Sequence, residues 1–322
     1  MTTDQITYLV FGIVLVFALI FDLGLISKKN QKISIRQALY QTFFWVGLAL
    51  AFFVFMWVQK GKILSLQYLS GYLMEWSLSI DNIFVFILIF SAFSVKEKHY
   101  GRVLLIGIMM AIVFRVIFIT VGVALVDKFG WILYIFGAFL IYTGFRMFTS
   151  TDDEEFDPHK SKIYRFMKRF LPLVPHDGNG KYRIIENGKP AYTTLFVVII
   201  MLAAIDLVFA LDSIPAVMGI SRDKLVIYTS NIFAVLGLRS LFFLLRGAVS
   251  RFDYLQQGIA VVLVFIGIKM LCEHWIYQWG ISKDLQVILS LGVIIVCIAG
   301  SIFYSIFMKK RGVPPDVEDK SI

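Results

Sequence analysis

Cysteine, histidine and charged residues are all scarce in this chain of 322 residues. It has two Cys and four His, and only 16% of its residues are Asp, Glu, Lys or Arg. Both cysteines, Cys272 and Cys297, fall within apolar stretches, which argues against a disulfide framework or a cysteine-based metal site. The histidines lie in loops or at the ends of predicted helices, so the pattern also disfavours a site for Zn²⁺ or Cu⁺.

Apolar residues, in contrast, are abundant. Hydrophobic residues make up 59% of the chain, 31 of them are Phe, and the mean hydropathy is +0.80. A soluble domain of this length could not bury so much apolar surface, and apolar runs of about 20 residues recur along the chain. The first residues, MTTDQIT, carry no basic charge, so we expect the first run to be a retained membrane helix rather than a cleaved signal peptide.

The sequence therefore predicts an all-α polytopic membrane protein with about nine transmembrane helices. Hydropathy places the nine spans at residues 6–27, 37–58, 66–93, 103–126, 130–148, 193–219, 224–246, 255–277 and 285–308. The predicted segments of the chain are an N-terminal two-helix segment 1–64, a three-helix unit 65–148, a cytosolic linker 149–192, a second three-helix unit 193–278, and a C-terminal helix with a cytosolic tail 279–322.

The basic residues predict an orientation in the membrane. Loops on one side of the predicted topology hold 22 Lys and Arg, whereas loops on the other side hold 6. The positive-inside rule then places the N-terminus outside and the C-terminus in the cytosol. The net charge of +9 lies in these short loops, so it reports topology and does not indicate nucleic-acid binding. The acidic run 152–157 in the linker has two interpretations, a cation sensor and a solvated linker, and we favour the second.

Two acidic motifs lie inside predicted membrane spans. In the third span Glu75 precedes Asp81 and Asn82, and in the sixth Asp206 precedes Asp212 and Ser213. Both motifs separate their carboxylates by six residues. Ionised carboxylates at this depth are costly unless they are paired, and they are usually functional. The two motifs predict an ion-handling site that is built from both halves of the chain.

The two motifs belong to a wider internal similarity. Arg115 in the fourth span corresponds to Arg239 in the seventh, and both units end in a Gly-x-(Arg/Lys)-Met pattern, at residues 144–147 and 267–270. Because each unit has three helices, an odd number, the two units must cross the membrane in opposite directions. Inverted repeats of this kind are typical of secondary transporters, which bind substrate near the membrane midplane.

Helical periodicity limits which of these side chains can meet. Glu75, Ser79 and Asn82 share one helix face, and Asp81 points about 120° away from it. Asp206 and Ser213 likewise share a face, with Asp212 offset. We therefore expect a helix break at Pro215 to bring the oxygens together. Carboxylate, amide and hydroxyl oxygens suit Mg²⁺, Ca²⁺ and Mn²⁺, so the predicted ligand is a divalent cation.

Further charges lie in the predicted spans. Asp22 is a fifth acid, near a cytosolic helix end, and Lys269 is a third base that could extend to the interface. With Arg115 and Arg239, the formal intramembrane charge is −2, which one divalent cation or two protons would neutralise. The arginines have two interpretations, pairing that holds the helices together and a role beside the ion, and we favour the pairing.

At these residues the sequence resembles the TerC family of integral membrane proteins, and within it the Alx-like branch. The resemblance rests on four motifs, at residues 75–82, 131–139, 209–216 and 229–239, and on Asp22. It implies a manganese-exporting inner-membrane protein with Mn²⁺ as transported substrate and no resident cofactor. It also implies metal contacts by Glu75, Asp81, Asn82, Asp206, Asp212 and Ser213, with Asp22, Ser79, Arg115, Asn231, Arg239 and Lys269 in supporting or coupling positions. One departure is Ala203, where this branch is expected to carry another acid.

Two alternatives to a transporter follow from the same residues. A membrane hub that assists assembly or metallation of other proteins could keep the same buried charges. An intramembrane aspartyl hydrolase would use paired Asp, but the Gly-x-Gly-Asp pattern of the presenilin-like enzymes is absent from the sequence. We therefore expect a transporter rather than an enzyme, in contact with the lipid bilayer and with no nucleic-acid partner. The sequence does not define an oligomeric state.

Overall fold

The computed structural model describes residues 3–26, 34–149, 160–186, 188–246, 254–278 and 282–310. The helices in these ranges are α1 (Thr3–Ile26), α2 (Ile35–Lys60), α3 (Lys62–Ala92), α4 (Glu97–Lys128), α5 (Ile132–Thr149), α6 (Lys162–Phe170), α7 (Thr194–Ile220), α8 (Lys224–Leu236), α9 (Leu238–Leu245), α10 (Leu255–Leu271), α11 (Glu273–Gln278) and α12 (Lys283–Lys310). The strands are β1 (Arg183–Glu186) and β2 (Lys189–Tyr192).

Every predicted span falls on helical structure. The seventh span is divided into α8 and α9, and the eighth into α10 and α11. Among the described residues, five stretches are long and apolar enough to cross a membrane: Ile35–Lys60, Glu97–Lys128, Thr194–Ile220, Lys224–Leu245 and Asp284–Met308. Shorter apolar helical stretches occur at Gln5–Ala18, Ile132–Phe148 and Gln256–Leu271. The all-α membrane architecture is therefore confirmed.

The helices differ sharply in how much of their surface the protein covers. The stretch formed by α8 and α9 is buried over 94% of its most apolar window, whereas α12 is buried over only 17%. On the outer helices large apolar side chains are exposed, for example Val58 at 76% and Phe303 at 71%. In a membrane protein this outer surface contacts lipid chains. The pair α8–α9 is therefore the centre of the bundle, and α12 lies at its edge.

The contacts cross between the two predicted units. α3 packs against α8, α7 packs against α4, and α3 also packs against α7. This exchange is what an inverted repeat would produce, and the repeat itself stays a prediction. The most extensive contact in the molecule joins α5 to α10.

Glycine makes the α5–α10 contact possible. A Cβ atom added at Gly267 would lie 2.6 Å from the carbonyl oxygen of Gly137, and one added at Gly144 would lie 2.8 Å from the carbonyl oxygen of Ala260. Real Cβ atoms do not approach a carbonyl so closely, so any larger residue would push the two backbones apart. Small residues at membrane helix contacts permit this close packing.

Ion pairs at the helix ends show that α4 and the α8–α9 stretch run in opposite directions. At one end of the bundle, Arg246 after α9 lies 3.4 Å from Glu97 at the start of α4. At the other end, Lys224 at the start of α8 lies 2.8 Å from Asp127 in the last turn of α4. The start of α4 and the end of α9 therefore share one side of the bundle. This is the arrangement that alternating membrane crossings require.

The linker between the two units contains ordered structure that the sequence analysis did not predict. Ser161 caps α6 by accepting a hydrogen bond from the Tyr164 amide, at 3.1 Å. β1 and β2 form an antiparallel hairpin. The segment packs on the start of α4, where Lys96 binds Asp177 at 2.7 Å and the Arg102 guanidinium lies 4.8 Å from the Tyr182 ring centroid. The acidic run 152–157 lies outside the described residues.

The expected helix break at Pro215 is wrong. α7 continues without interruption from Thr194 to Ile220, with Pro215 buried inside it. Proline removes one backbone hydrogen bond, but packed neighbours and local adjustment allow a membrane helix to continue through it. The helical hydrogen-bond pattern is interrupted instead at Gly237, between α8 and α9 and two residues before Arg239, although the backbone there keeps helical angles (φ −76°, ψ −16°).

Candidate intramembrane charge cluster

Four helices each place one polar side chain at a common point in the bundle. The side chains are Glu75 on α3, Arg115 on α4, Asp206 on α7 and Asn231 on α8. None is more than 1% exposed. Close approach of α3 and α8 near this point depends on Gly71, where an added Cβ would lie 2.9 Å from the Ser230 hydroxyl. We call these four residues the charge cluster.

Arg115 is the centre of the charge cluster. Its Nε and Nη2 groups donate to the two carboxylate oxygens of Asp206, at 2.6 and 2.9 Å. Its Nη1 group donates to Glu75 Oε1, and also to Asn231 Oδ1 at 2.7 Å. The planar guanidinium suits such two-point binding of a carboxylate, which lysine could not reproduce. One side chain therefore joins helices from both halves of the chain.

The charges of the cluster do not cancel. Two carboxylates face one guanidinium, so the formal charges of these three groups sum to −1. Burying ions is costly, and hydrogen-bonded pairing offsets most of that cost. An excess negative charge in a buried site favours a further cation. The electrostatics of the cluster are therefore those of a cation-attracting site.

Several buried oxygens on the helix faces that carry Glu75 and Asp206 have no hydrogen-bond partner among the described residues. They are Glu75 Oε2, Ser79 Oγ, Asn82 Oδ1 and Ser213 Oγ. Ser79 and Asn82 follow Glu75 on one face of α3, and Ser213 follows Asp206 on one face of α7. We call these four atoms the open oxygens.

The two serines among the open oxygens differ from other buried serines of the bundle. The Ser77 hydroxyl donates to the Leu73 carbonyl at 2.7 Å, and the Ser70 hydroxyl donates to the Leu66 carbonyl at 2.8 Å. The hydroxyl groups of helical serines commonly donate to a backbone carbonyl of the preceding turn in this way. Ser79 and Ser213 make no such bond with any described residue. A buried polar group without a partner costs roughly 1–3 kcal/mol, so these groups call for an explanation such as an ion.

Asp212 does not share the environment of Asp206. It is partly buried, and its Oδ1 accepts a hydrogen bond from the Thr143 hydroxyl of α5 at 3.3 Å. Because α7 is continuous, the 120° offset between these two residues is kept, so Asp206 contacts α4 and Asp212 contacts α5. The backbones of Asp81 and Asp22 belong to α3 and α1, but their side chains lie outside the described part of the chain.

The remaining basic candidates are Arg239 and Lys269. Arg239 is buried, with 2% exposure, just after the interruption at Gly237. Lys269 donates to the Ser290 hydroxyl of α12 at 3.0 Å, which places it between α10 and α12. It lines a cleft of about 220 Å³ with Ser221, Arg222 and Gln286 near the end of α7. The predicted site residues are thus distributed over more than one place.

Within the described ranges, no three side chains of the His, Cys, Asp and Glu types are grouped closely enough to hold a metal ion. Glu75 and Asp206 come together as a pair, and the other oxygens near them are amides and hydroxyls. The sequence analysis favoured ion pairing for Arg115 but missed its central position between two acids. A single arginine in an otherwise apolar span, with acids in neighbouring spans, is the signal that points to such pairing.

Comparison with known proteins identifies the family. The sequence profile of the family described as "Integral membrane protein TerC family" matches residues 60–313. An uncharacterized membrane protein of Myxococcus xanthus is 42% identical over 78% of this chain and 79% of its own length. An uncharacterized membrane protein of Rickettsia bellii is 38% identical over 94% of this chain and 98% of its own.

A third relative is Alx of Escherichia coli K12, which is described as a candidate membrane-bound redox modulator. It is 39% identical over 94% of this chain and 96% of its own length. No solved structure matches the chain. The profile match and these relatives cover most of the sequence, including the four residues of the charge cluster. The chain belongs to the TerC family of integral membrane proteins.

Proposed function

We propose that this protein transports a divalent cation, Mn²⁺ in the first place, outward across the bacterial cytoplasmic membrane. The open oxygens beside the charge cluster are the observation that carries the proposal. They are buried acceptors without protein partners among the described residues, next to two acids that share one arginine. The cation is the cargo, so the proposal includes no resident cofactor and no enzymatic reaction.

The chemistry of these groups defines the class of substrate. Carboxylate, amide and hydroxyl oxygens are hard ligands, which suit Mn²⁺, Mg²⁺ and Ca²⁺. The ligands proposed for the cation are Glu75, Asn82 and Ser213, with Ser79 beside them. Asp206 contributes negative charge through its bond with Arg115. The preference for Mn²⁺ and the outward direction are supported by the family resemblance drawn from the sequence motifs.

Asp81 and Asp212 have a different role in the proposed transport from the residues of the cluster. They are offset from the face that carries the cluster, and Asp212 contacts α5. We assign them to the route by which the cation enters or leaves the cluster.

In cells that lack this protein and its relatives, we expect manganese to accumulate and to become toxic. Replacing Asp81 or Asp212 with Asn should abolish rescue, and full rescue by a well-expressed double variant would remove both residues from the route.

The decisive experiment measures Mn²⁺ flux through the purified protein in liposomes. Ser79→Ala and Ser213→Ala should reduce flux, because each removes an open oxygen. Ser77→Ala is the matched control, since that buried serine on α3 donates to the Leu73 carbonyl instead. Loss of the Ser77 hydroxyl should leave Mn²⁺ flux close to that of the unmodified chain. Equal losses for Ser77→Ala and Ser79→Ala would contradict the assignment of the open oxygens.

The same flux assay separates transport from the hub alternative. A hub that assembles or metallates other proteins has no need to move Mn²⁺ by itself. Purified protein alone should therefore carry Mn²⁺ down an imposed gradient if the proposal holds. Absence of flux from well-folded protein, with activity in whole cells retained, would favour the hub.

A further inference from the structure

We infer that Arg115 is a tethered cation that occupies Glu75 and Asp206 when the site holds no metal, and that the substrate displaces it. The inference rests on the proposed function and concerns the step in which the empty site turns back to the side where it binds metal. In the structure the guanidinium already binds both carboxylates, in positions where a divalent cation would gain most from negative charge.

Charge balance favours such a step. Without Arg115, the empty cluster would hold two acids at membrane depth with no counter-ion, and returning the empty site to face the other side would be unfavourable. With Arg115 the empty cluster carries a formal charge of −1. A divalent cation added to the same acids would change this charge to +1 and would repel the guanidinium. The metal and Arg115 therefore compete for the acids.

The guanidinium has another acceptor beside the acids. Its Nη1 group donates to Asn231 Oδ1 at 2.7 Å, and Asn231 is uncharged and does not attract the metal as strongly as a carboxylate. The arginine side chain is long and can change rotamer while it keeps this bond. Asn231 thus offers a position for the displaced guanidinium, and Glu75 Oε2 leaves one carboxylate oxygen open for the approaching metal.

A purely structural salt bridge makes the opposite prediction about affinity. If Arg115 only holds the helices together, its replacement should weaken Mn²⁺ binding or leave it unchanged. If Arg115 competes with the metal, Arg115→Gln should bind Mn²⁺ roughly ten-fold more tightly, within the usual range of coupling between two sites. The same variant should lose net flux, because the empty site then lacks its counter-ion, while it keeps exchange of Mn²⁺ for Mn²⁺.

The experiment combines Mn²⁺ titration with two flux modes in liposomes. Net flux is measured into vesicles without internal Mn²⁺, and exchange is measured with Mn²⁺ on both sides. Arg115→Lys is the second variant, because it keeps the positive charge if Arg115→Gln fails to fold. Lysine cannot bind both oxygens of Asp206 with a planar fork, so Arg115→Lys should keep net flux at a reduced rate and bind Mn²⁺ more tightly than the unmodified chain.

The outcomes separate the two proposals. Flux in the unmodified chain together with unchanged net flux in Arg115→Gln, or weaker Mn²⁺ binding in Arg115→Lys, would overturn the tethered cation alone. Absence of both net flux and exchange from the folded unmodified chain would overturn the proposed function, and the tethered cation with it. Tighter binding with exchange retained and net flux lost supports both.

A second inference comes from α6, which is independent of the cluster. Its sequence, KIYRFMKRF, carries Lys162, Arg165, Lys168 and Arg169 and no acid. The rings of Phe166 and Phe170 pack against each other in a tilted arrangement with centroids 4.6 Å apart, yet they are 65% and 63% exposed. Met167, on another face, is buried. The helix thus presents an exposed aromatic pair that is surrounded by basic side chains.

The position of α6 places this surface at the membrane. The Ser161 hydroxyl, at the start of α6, contacts the Met201 sulfur at 3.7 Å, and the Tyr164 ring packs on Phe93 at the end of α3. Met201 lies seven residues into the apolar span of α7, which is about 10 Å along a helix axis. The start of α6 therefore reaches the level of the membrane spans.

We propose that α6 lies in the bilayer interface and binds anionic phospholipid headgroups. Phe166 and Phe170 enter the boundary with the acyl chains, and the basic residues contact the headgroups. Such amphipathic helices bind through buried apolar area and attraction to anionic lipid. Each basic side chain near an anionic surface contributes a factor of roughly five to binding.

Quenching of tryptophan by spin-labelled lipids tests the location of α6. Phe170→Trp protein is placed in nanodiscs of phosphatidylcholine, and in nanodiscs that also contain phosphatidylglycerol. We expect strong quenching at position 170 that increases with phosphatidylglycerol, after subtraction of the signal from the unmodified chain.

The control compares two sets of basic residues in the same linker. Lys162→Gln with Arg165→Gln and Lys168→Gln should remove the dependence on phosphatidylglycerol. Lys181→Gln with Arg183→Gln, on the exposed hairpin, should keep it. Absence of quenching at position 170, or equal quenching in both lipids, would overturn the proposal.

Discussion

At the scale of single residues, the arrangement around Arg115 determines which substitutions the bundle can tolerate. Each acid of the cluster binds the same guanidinium, so the loss of one acid leaves Arg115 with the other. The loss of both leaves a buried cation with only Asn231 as its partner. Breaking a buried ion pair by removing one partner costs about 3–5 kcal/mol because it strands a charge.

The first prediction concerns the coupling between Glu75 and Asp206. Glu75→Gln and Asp206→Asn should each lower thermal stability modestly, because a neutral pair with Arg115 remains. The double variant should lose about 3 kcal/mol more than the sum of the two single variants, since it strands the guanidinium. Thermal unfolding of the four proteins in detergent, followed by fluorescence-detected size exclusion, measures this coupling.

Asp212 provides the matched control for that cycle. It lies on the same helix as Asp206 but bonds with Thr143 instead of Arg115. Glu75→Gln combined with Asp212→Asn should therefore be additive in thermal stability. Equal coupling in both cycles would mean that the loss reflects general weakening of the bundle and not the shared arginine.

Some features of the site could be predicted from single residues of the sequence, and others could not. An acid inside an apolar span is visible in the sequence, and so is the offset of Asp212 from Asp206. The partner of each acid depends on how neighbouring helices are rotated, which no local pattern reports. We expected a break at Pro215 to bring the offset carboxylates together, and that expectation is wrong because the helix continues.

At the scale of helices, α5 and α10 form the most extensive contact because glycines allow their backbones to meet. Gly144→Ala should destabilise the protein by about 1–3 kcal/mol, since the added methyl would overlap the Ala260 carbonyl and the packing would have to open. Thermal unfolding measures the change.

Gly292→Ala on α12 is the control for this substitution. Nothing lies within 4 Å of a Cβ added at Gly292. Alanine is favoured over glycine in a helix by about 0.5–1 kcal/mol, so this variant should be unchanged or slightly more stable. A loss of stability at Gly292 as large as that at Gly144 would show that the α5–α10 contact is not the cause.

The interruption between α8 and α9 illustrates a further limit of sequence reasoning about elements. Of the five stretches able to span a membrane, this one is the least apolar and also the most enclosed by protein. Enclosure permits polar side chains and a local gap in the helical hydrogen bonds at membrane depth, because neighbours satisfy the exposed groups. Hydropathy predicts that a span exists. The polar residues of a span indicate where it lies in the bundle only when its neighbouring helices are known.

For the molecule as a whole, the predicted topology gives a direct test. Reporter enzymes fused after Ile322 and within 149–192 should both be active as cytosolic enzymes, because the loops on those sides hold 22 of the Lys and Arg residues and the opposite loops hold 6. A fusion within the 127–131 turn, beside the pair of Asp127 and Lys224, should be active only outside the cytosol. A periplasmic signal from either of the first two positions would contradict the N-outside arrangement.

The predicted spans all fall on helices because hydropathy is a local property that each segment carries by itself. The ordered linker was missed for the complementary reason. Its hairpin is short and polar, and it is held by contacts with α4, namely Lys96 with Asp177 and Arg102 with Tyr182. Contacts between distant parts of the chain leave no periodic signal in either part.

The shared arginine also determines an order of events during synthesis. Arg115 and Glu75 enter the membrane with the first half of the chain and can pair at once, whereas Asp206 follows with the second half and Asn231 comes last. A second half made alone would insert Asp206 without its guanidinium and would become a substrate for membrane proteases. Produced together with the first half from a separate gene, it should regain its partner and persist. The first half of the chain thus supplies the buried partner that the second half needs when it inserts.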